Sequence, residues 1–186
     1  MSDYVMLWLT IAVGLFWAMG AYNRLVRLRS QSIGAFVALE GVLNQYVVLV
    51  KTNYTEVGQI SAAGDPRQGI DVYVAAWVAL EAAADQFNAS LKVAHLQPLN
   101  GPTLRALRTA LDTLHLSWLR LRDLPLDVSD AAIPGSLQSH WEHIAFQSEI
   151  ARTEFNRRVL SYNDAIHQFP ALLLAWLFGF KTAQPI

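Results

Sequence analysis

The sequence predicts an all-α protein: an N-terminal transmembrane helix followed by an antiparallel bundle of about four helices, the first and last of them long. Three observations carry this prediction. Tyr4 to Ala21 is an uncharged run of about eighteen residues, with Arg24, Arg27 and Arg29 close behind it. Apolar residues then recur at intervals of three and four over four separate stretches, the period of an amphipathic helix. No stretch alternates apolar and polar residues as a half-buried strand would. Residues 1–21 read as a membrane anchor and residues 22–186 as one domain, long enough to bury a core.

Three readings compete for the anchor. At about 1.5 Å per residue the run crosses most of a roughly 30 Å hydrocarbon layer. A cleaved signal peptide wants a basic start, and Met1, Ser2 and Asp3 offer none. A buried core helix seldom runs this far without a polar face. Tyr4 and Trp8 near one end, and Trp17 and Tyr22 near the other, suit the two interfaces, which favours a span. Lys and Arg are absent before the run and three Arg follow it, so the short N-terminus is expected outside and the domain in the cytoplasm.

Behind the anchor no proline occurs before Pro66, so the span is free to continue into the first bundle helix. Leu25, Leu28, Ser32, Phe36, Leu39, Leu43, Tyr46, Val50, Asn53 and Val57 form its seam, over roughly Tyr22 to Ile60. Gly34, Gly41 and Gly58 each weaken it by roughly 1 kcal/mol unless close packing offsets the loss. Ser61 to Gly69 breaks the pattern, and Asp65, Pro66 and Gln68 look like an N-cap, a first-turn proline and a capping partner. The second helix carries Tyr73, Trp77, Leu80, Ala84, Phe87 and Leu91, and Gln97 to Pro102 ends it. The third has the cleanest stripe, Leu104, Leu107, Leu111, Leu114, Trp118 and Leu121, with Arg105, Arg108, Asp112, Arg120 and Arg122 off it. After a connector from Leu124 to Gly135, the last long helix spans about Ser136 to Phe169. Its seam is Leu137, Trp141, Ile144, Ser148, Ala151, Phe155, Val159, Tyr162, Ile166 and Phe169.

Composition narrows function more than it defines it. With 14 basic and 15 acidic residues there is no basic excess of the kind nucleic acid demands, so no nucleic-acid partner is expected. The absence of cysteine removes disulfides, thiolate metal sites and cysteine nucleophiles together. His140, Glu142 and His143 are the one cluster resembling metal chemistry, yet neither H-E-x-x-H nor Glu-x-x-His surrounds them. His95, His115 and His167 stand alone and read as caps or packed side chains. Ser136 lacks a G-x-S-x-G elbow, the carboxylates are scattered, and no glycine-rich phosphate loop occurs. The expectation is therefore no catalytic residue, no cofactor and no metal. Asn156 and Asn163, seven apart beside the last seam, suit a structural hydrogen bond that fixes register better than a ligand site.

Pro170 is expected to break the last helix. The following Leu172, Leu173, Leu174, Trp176, Leu177, Phe178 and Phe180 are too few to span a bilayer. This tail reads as a short helix folded over the bundle end; the alternative is an apolar patch that docks on membrane or on another copy.

Ala151 to Lys181, ARTEFNRRVLSYNDAIHQFPALLLAWLFGFK, resembles the C-terminal signature of the LemA family: A-R, aromatic-N, Y-N, F-P, then A and G-F. Tyr22 to Arg29, YNRLVRLR, is similar to the family's juxtamembrane start, and Ala35, Phe36, Leu39 and Leu43 continue the likeness. The chain departs from the family at Asn44 to Asn53, where a basic pair and a leucine-isoleucine-proline-asparagine stretch are missing, and residues 60–135 show no family pattern. It resembles a divergent member. The resemblance implies one N-terminal span, a cytoplasmic antiparallel bundle and no established catalytic activity; some relatives are linked to bacterial membrane organisation, including magnetosome membranes.

Together these readings lead to a bacterial inner-membrane protein that scaffolds or docks, with the lipid bilayer and protein partners or further copies of itself as its contacts. The alternatives are a metal- or ligand-binding enzyme domain built on His140, Glu142 and His143, and an adaptor for a membrane protease or signalling complex.

Overall fold

The computed structural model describes residues 2–62, 70–124 and 135–186. They form five helices and, among the described residues, no strand: α1 (Ser2–Ala62), α2 (Ile70–Leu96), α3 (Gly101–Arg122), α4 (Gly135–His167) and α5 (Ala171–Phe178). The all-α class expected from the sequence is what the structure has. The cap expected at Asp65, Pro66 and Gln68, and most of the Leu124–Gly135 connector, lie outside the described residues.

Anchor and first bundle helix are one uninterrupted helix of 61 residues, about 90 Å long at 1.5 Å per residue. Not one residue from Tyr4 to Gly20 is buried, so this part of α1 is no core helix and meets the bundle only near its end, where Trp17 touches Phe169. It is long and apolar enough to cross a membrane. Thr10, in the middle of it, donates its hydroxyl to Met6 O at 2.9 Å, so that hydroxyl is satisfied within the helix.

Beyond Ala21 the helix meets its partners. Leu25, Ser32, Phe36, Leu39, Leu43, Tyr46 and Val50 are buried, as the seam requires. Ser32 gives its hydroxyl to Leu28 O at 3.0 Å, which allows a polar group inside the seam. At Gly34 and Gly41 nothing lies within 4 Å of where a Cβ would sit. No packing offsets their helix cost.

Partner residues define the topology. Phe36 meets Phe155 with ring centroids 5.7 Å apart, and Tyr46 meets Trp141 at 4.6 Å, so α4 runs antiparallel to α1. Arg158 adds a hydrogen bond to Gln31 at 3.1 Å. Lys51 with Asp85 at 2.7 Å, and Glu40 with His95 at 2.8 Å, set α2 antiparallel to α1 on another face. His95 is therefore an inter-helix partner rather than a cap. α3 packs on α2. α3 and α4 close the ring only through large side chains, with Trp118 and Trp141 stacked at 4.4 Å and 10°.

Two stripes need correction. On α3 the buried positions include Ala110 and Ser117, while Leu111 is only half-buried. Leu111 lies about 100° round the axis from Ala110, enough to move it from face to flank. On α4 the helix stops at His167 rather than Phe169, because a residue before proline is disfavoured in the α region. Phe169 leaves the seam, is 68% exposed, and sets its ring edge-on to Trp17 at 5.2 Å.

His115 sits among Tyr46 and Trp141, at centroid distances of 5.4 and 5.8 Å, with its buried Nε2 lacking a partner. Burial pushes its pKa below the ordinary value of 6.5, against the pull of Asp112 and with a small push from Arg152. Below pH 6.5 the unfolded chain takes up a proton that the folded one refuses, so stability falls as pH falls from there towards the folded pKa. Urea melts between pH 7.5 and 5 should show His115→Leu losing less stability on acidification than the parent; parallel losses would remove His115 from the account.

Candidate functional site

The end of the bundle nearest the free part of α1 is where the chain concentrates its unusual features. Pro170 separates α4 from α5, and Gly179 at φ 69° closes α5 in the left-handed conformation that glycine adopts without a Cβ penalty. Phe180 N–H then bonds Ala175 O at 2.9 Å. Ala171 and Ala175 are the buried residues of α5, pressed on the bundle, while Leu172, Leu173, Leu177 and Phe178 stay exposed and Trp176 is 85% exposed. The tail is thus a short helix folded over the bundle end, and it also presents an apolar outer face.

That outer face stands beside the root of the free α1 segment. Tyr22 packs on Phe178 and Phe180, with ring centroids 5.0 and 5.9 Å apart, and Trp17 packs on Phe169. Arg24 donates to Gln168 at 3.0 Å and ties the end of α4 to the same level. Tyr22 comes directly after the uncharged run, so α5 lies level with the end of the stretch that is long and apolar enough to cross a membrane.

Past Gly179 the chain turns back up α4 as an extended segment, held by the two asparagines. Asn163 Nδ2 donates to Ala183 O at 2.8 Å, and its Oδ1 accepts from Ala183 N–H at 2.9 Å. Asn156 repeats the arrangement on Ile186, at 2.9 and 2.8 Å. Tyr162 adds a hydroxyl donor to Lys181 O at 3.1 Å. Spaced seven apart, the asparagines lie two helical turns from each other on one face, and each presents a primary amide in the way a neighbouring strand presents its peptide. Ala183 is buried beneath them. Gln184 accepts from Arg105 and lies against Gly101, where a Cβ would collide with its side chain. The segment therefore fills the gap between the start of α3 and the end of α4. The structural role expected of the asparagines holds, but their partner is the chain's own tail and not another helix.

The histidines sort differently. His140 and His143 line one cleft of about 460 Å³ between α1 and α4, together with Asn44, Asn53 and Val48. Glu142 is outside that lining and accepts from Gln138 at 2.9 Å, while His143 pairs with Gln147 at 2.9 Å. Among the described residues no group of three His, Asp or Glu is placed to hold a metal ion. Ser136 and His167 are exposed, at opposite ends of α4.

Segment 181–186 is what sequence reasoning missed. The asparagine spacing announced a hydrogen-bonding pair, but an extended backbone carries the same donors and acceptors whatever its side chains, so nothing local marks it as the partner. Comparisons with family models, with curated proteins and with solved structures returned no match in any of the three.

Proposed function

We propose that this chain is a single-pass scaffold of the bacterial inner membrane, LemA-like in plan, that works by contact rather than catalysis. The observation that carries the proposal is the apolar face of α5 beside the root of α1: Leu172, Leu173, Trp176, Leu177 and Phe178 stay exposed at the level where the chain leaves the bilayer. A patch of this kind is costly in water and favourable in the interfacial layer. α1 and α5 together hold the bundle upright on the membrane, and the bundle faces beyond them receive partner proteins or further copies. The Arg24, Arg27 and Arg29 cluster supports a cytoplasmic bundle with the N-terminus outside. An adaptor for a membrane protease or signalling complex would use the same surfaces and differ only in its partner.

Co-sedimentation of residues 22–186 with vesicles tests the α5 contact. The variant Leu173→Ser, Trp176→Ser, Leu177→Ser should bind about ten-fold more weakly or worse, since fully burying each such side chain is worth roughly 1.5–3 kcal/mol. Equal binding would remove α5 from the membrane. Cross-linking of the full chain in its membranes tests the scaffold itself: neither a self-linked product nor a linked partner would defeat it.

A further inference from the structure

Beside α5 lies a cleft of about 610 Å³, walled by the base of α1, the turn between α2 and α3, and the tail. Arg29 and Lys181 both line it. Among the described residues no carboxylate lines it, and neither cation forms an ion pair with one. Five other cations of the bundle, Lys51, Arg122, Arg152, Arg157 and Arg158, each hold a carboxylate, whereas these two are left open to a ligand's charge. Arg29 and Lys181 thus both border a space roomy enough for a phosphate ester.

Position supplies the second argument. Tyr22 and Phe178 line the same cleft, their rings in contact at its bilayer side. Arg29 is eight residues beyond Ala21, about 12 Å along the axis, and helical side chains lean towards the N-terminus, here back towards the bilayer. With Ala21 at the hydrocarbon edge, that lean puts the guanidinium within reach of the headgroup layer, which is several ångströms thick. Tyr162 and Thr182 supply hydroxyls to the wall, although the Tyr162 proton is already given to Lys181 O.

From this geometry we infer that the cleft is a binding site for the phosphate headgroup of an anionic membrane phospholipid, held by Arg29 and Lys181, with the acyl chains leaving past Tyr22 and Phe178. The phosphate neutralises both cations, and the aromatic pair covers the upper part of the chains. Occupancy ties the tail, through Lys181, to the base of α1. The inference rests on the membrane-anchored reading, and its variants are chosen to leave the anchor intact.

The test uses the full chain in mixed micelles, with thermal melting followed as phosphatidylglycerol or phosphatidylcholine is added. Phosphatidylglycerol should raise the melting temperature saturably and phosphatidylcholine should not. In Arg29→Gln and in Lys181→Gln the half-saturating phosphatidylglycerol should rise at least about ten-fold, while Arg29→Lys keeps most of the response. Arg27→Gln removes the same charge at the same level outside the cleft and should leave the response unchanged. Equal loss in Arg27→Gln would reduce the effect to general surface charge and overturn the site. Saturation by soluble glycerol phosphate at a comparable concentration would assign the cleft to a free phosphate ester and overturn the lipid. A variant that already melts low in phosphatidylcholine is replaced by the other of the pair, as both side chains are exposed. Sedimentation of Arg29→Gln with membranes, as for the parent, separates failure of this site from failure of the anchor.

Discussion

Asn163→Asp should free the C-terminal segment and lower the stability of the bundle by about 2–4 kcal/mol. Aspartate keeps the shape of the side chain and still accepts from Ala183 N–H. It loses the donor that meets Ala183 O at 2.8 Å and sets a carboxylate oxygen against that carbonyl. A partly buried acceptor facing an acceptor loses the bond and also keeps the desolvation penalty, which is why the effect should exceed that of an ordinary surface hydrogen bond. Asn156→Asp should do the same at Ile186, by a smaller amount if the chain frays from that end. The two changes act on one segment, so the double variant should fall short of their sum. Urea melts give the stabilities. Limited trypsin digestion gives the release directly, because the carbonyl of Lys181 is held by Tyr162 in the parent and freed in the variant. A change below about 0.5 kcal/mol with unaltered cleavage at Lys181 would show that the tail rests on the bundle without being clamped.

Ile11→Arg should take most of the full-length protein out of the membrane fraction. Val5, Leu7, Leu9, Ile11, Val13, Leu15 and Phe16 each favour insertion by roughly 0.3–0.6 kcal/mol near the helix centre, together about 2–4 kcal/mol. One arginine at the centre costs roughly 2.5–3.5 kcal/mol and cancels that gain. Ile11 is midway along the run, is exposed, and forms no part of the buried core. The bundle should therefore fold and melt as before, and what α5 and the cationic residues beside it retain of membrane binding should show as a weak remainder. Recovery of the variant wholly with the membranes, resistant to carbonate extraction, would mean that α1 is not the anchor.

Legibility varied along the chain for physical reasons. The seams of α1 and α4 could be read because burial on a helix repeats with the backbone's own period, and Phe36, Leu43, Tyr46, Phe155 and Tyr162 are buried where that period places them. The end of α4 came out two residues early and took Phe169 from core to surface, because the constraint of Pro170 acts on the residue before it as well. The pairing of Tyr46, His115, Trp118 and Trp141 was not readable at all. It joins α1, α3 and α4 through rings that no spacing rule relates. The same holds for the Arg29 and Lys181 cleft, whose two cations stand 152 positions apart in the chain.

By itself, the order of residues determined whatever depends on neighbours along one helix: an apolar run long enough for a bilayer, four striped helices, and a proline stop followed by a greasy tail. Only the tertiary structure decided that α5 lies at the root of α1 with its apolar side outward, and that Asn156 and Asn163 clasp residues 183 and 186. The reason is that apolar burial has no preferred partner and an amide bonds any free peptide equally well. Which surfaces and which peptides meet is set by the packing of the whole bundle.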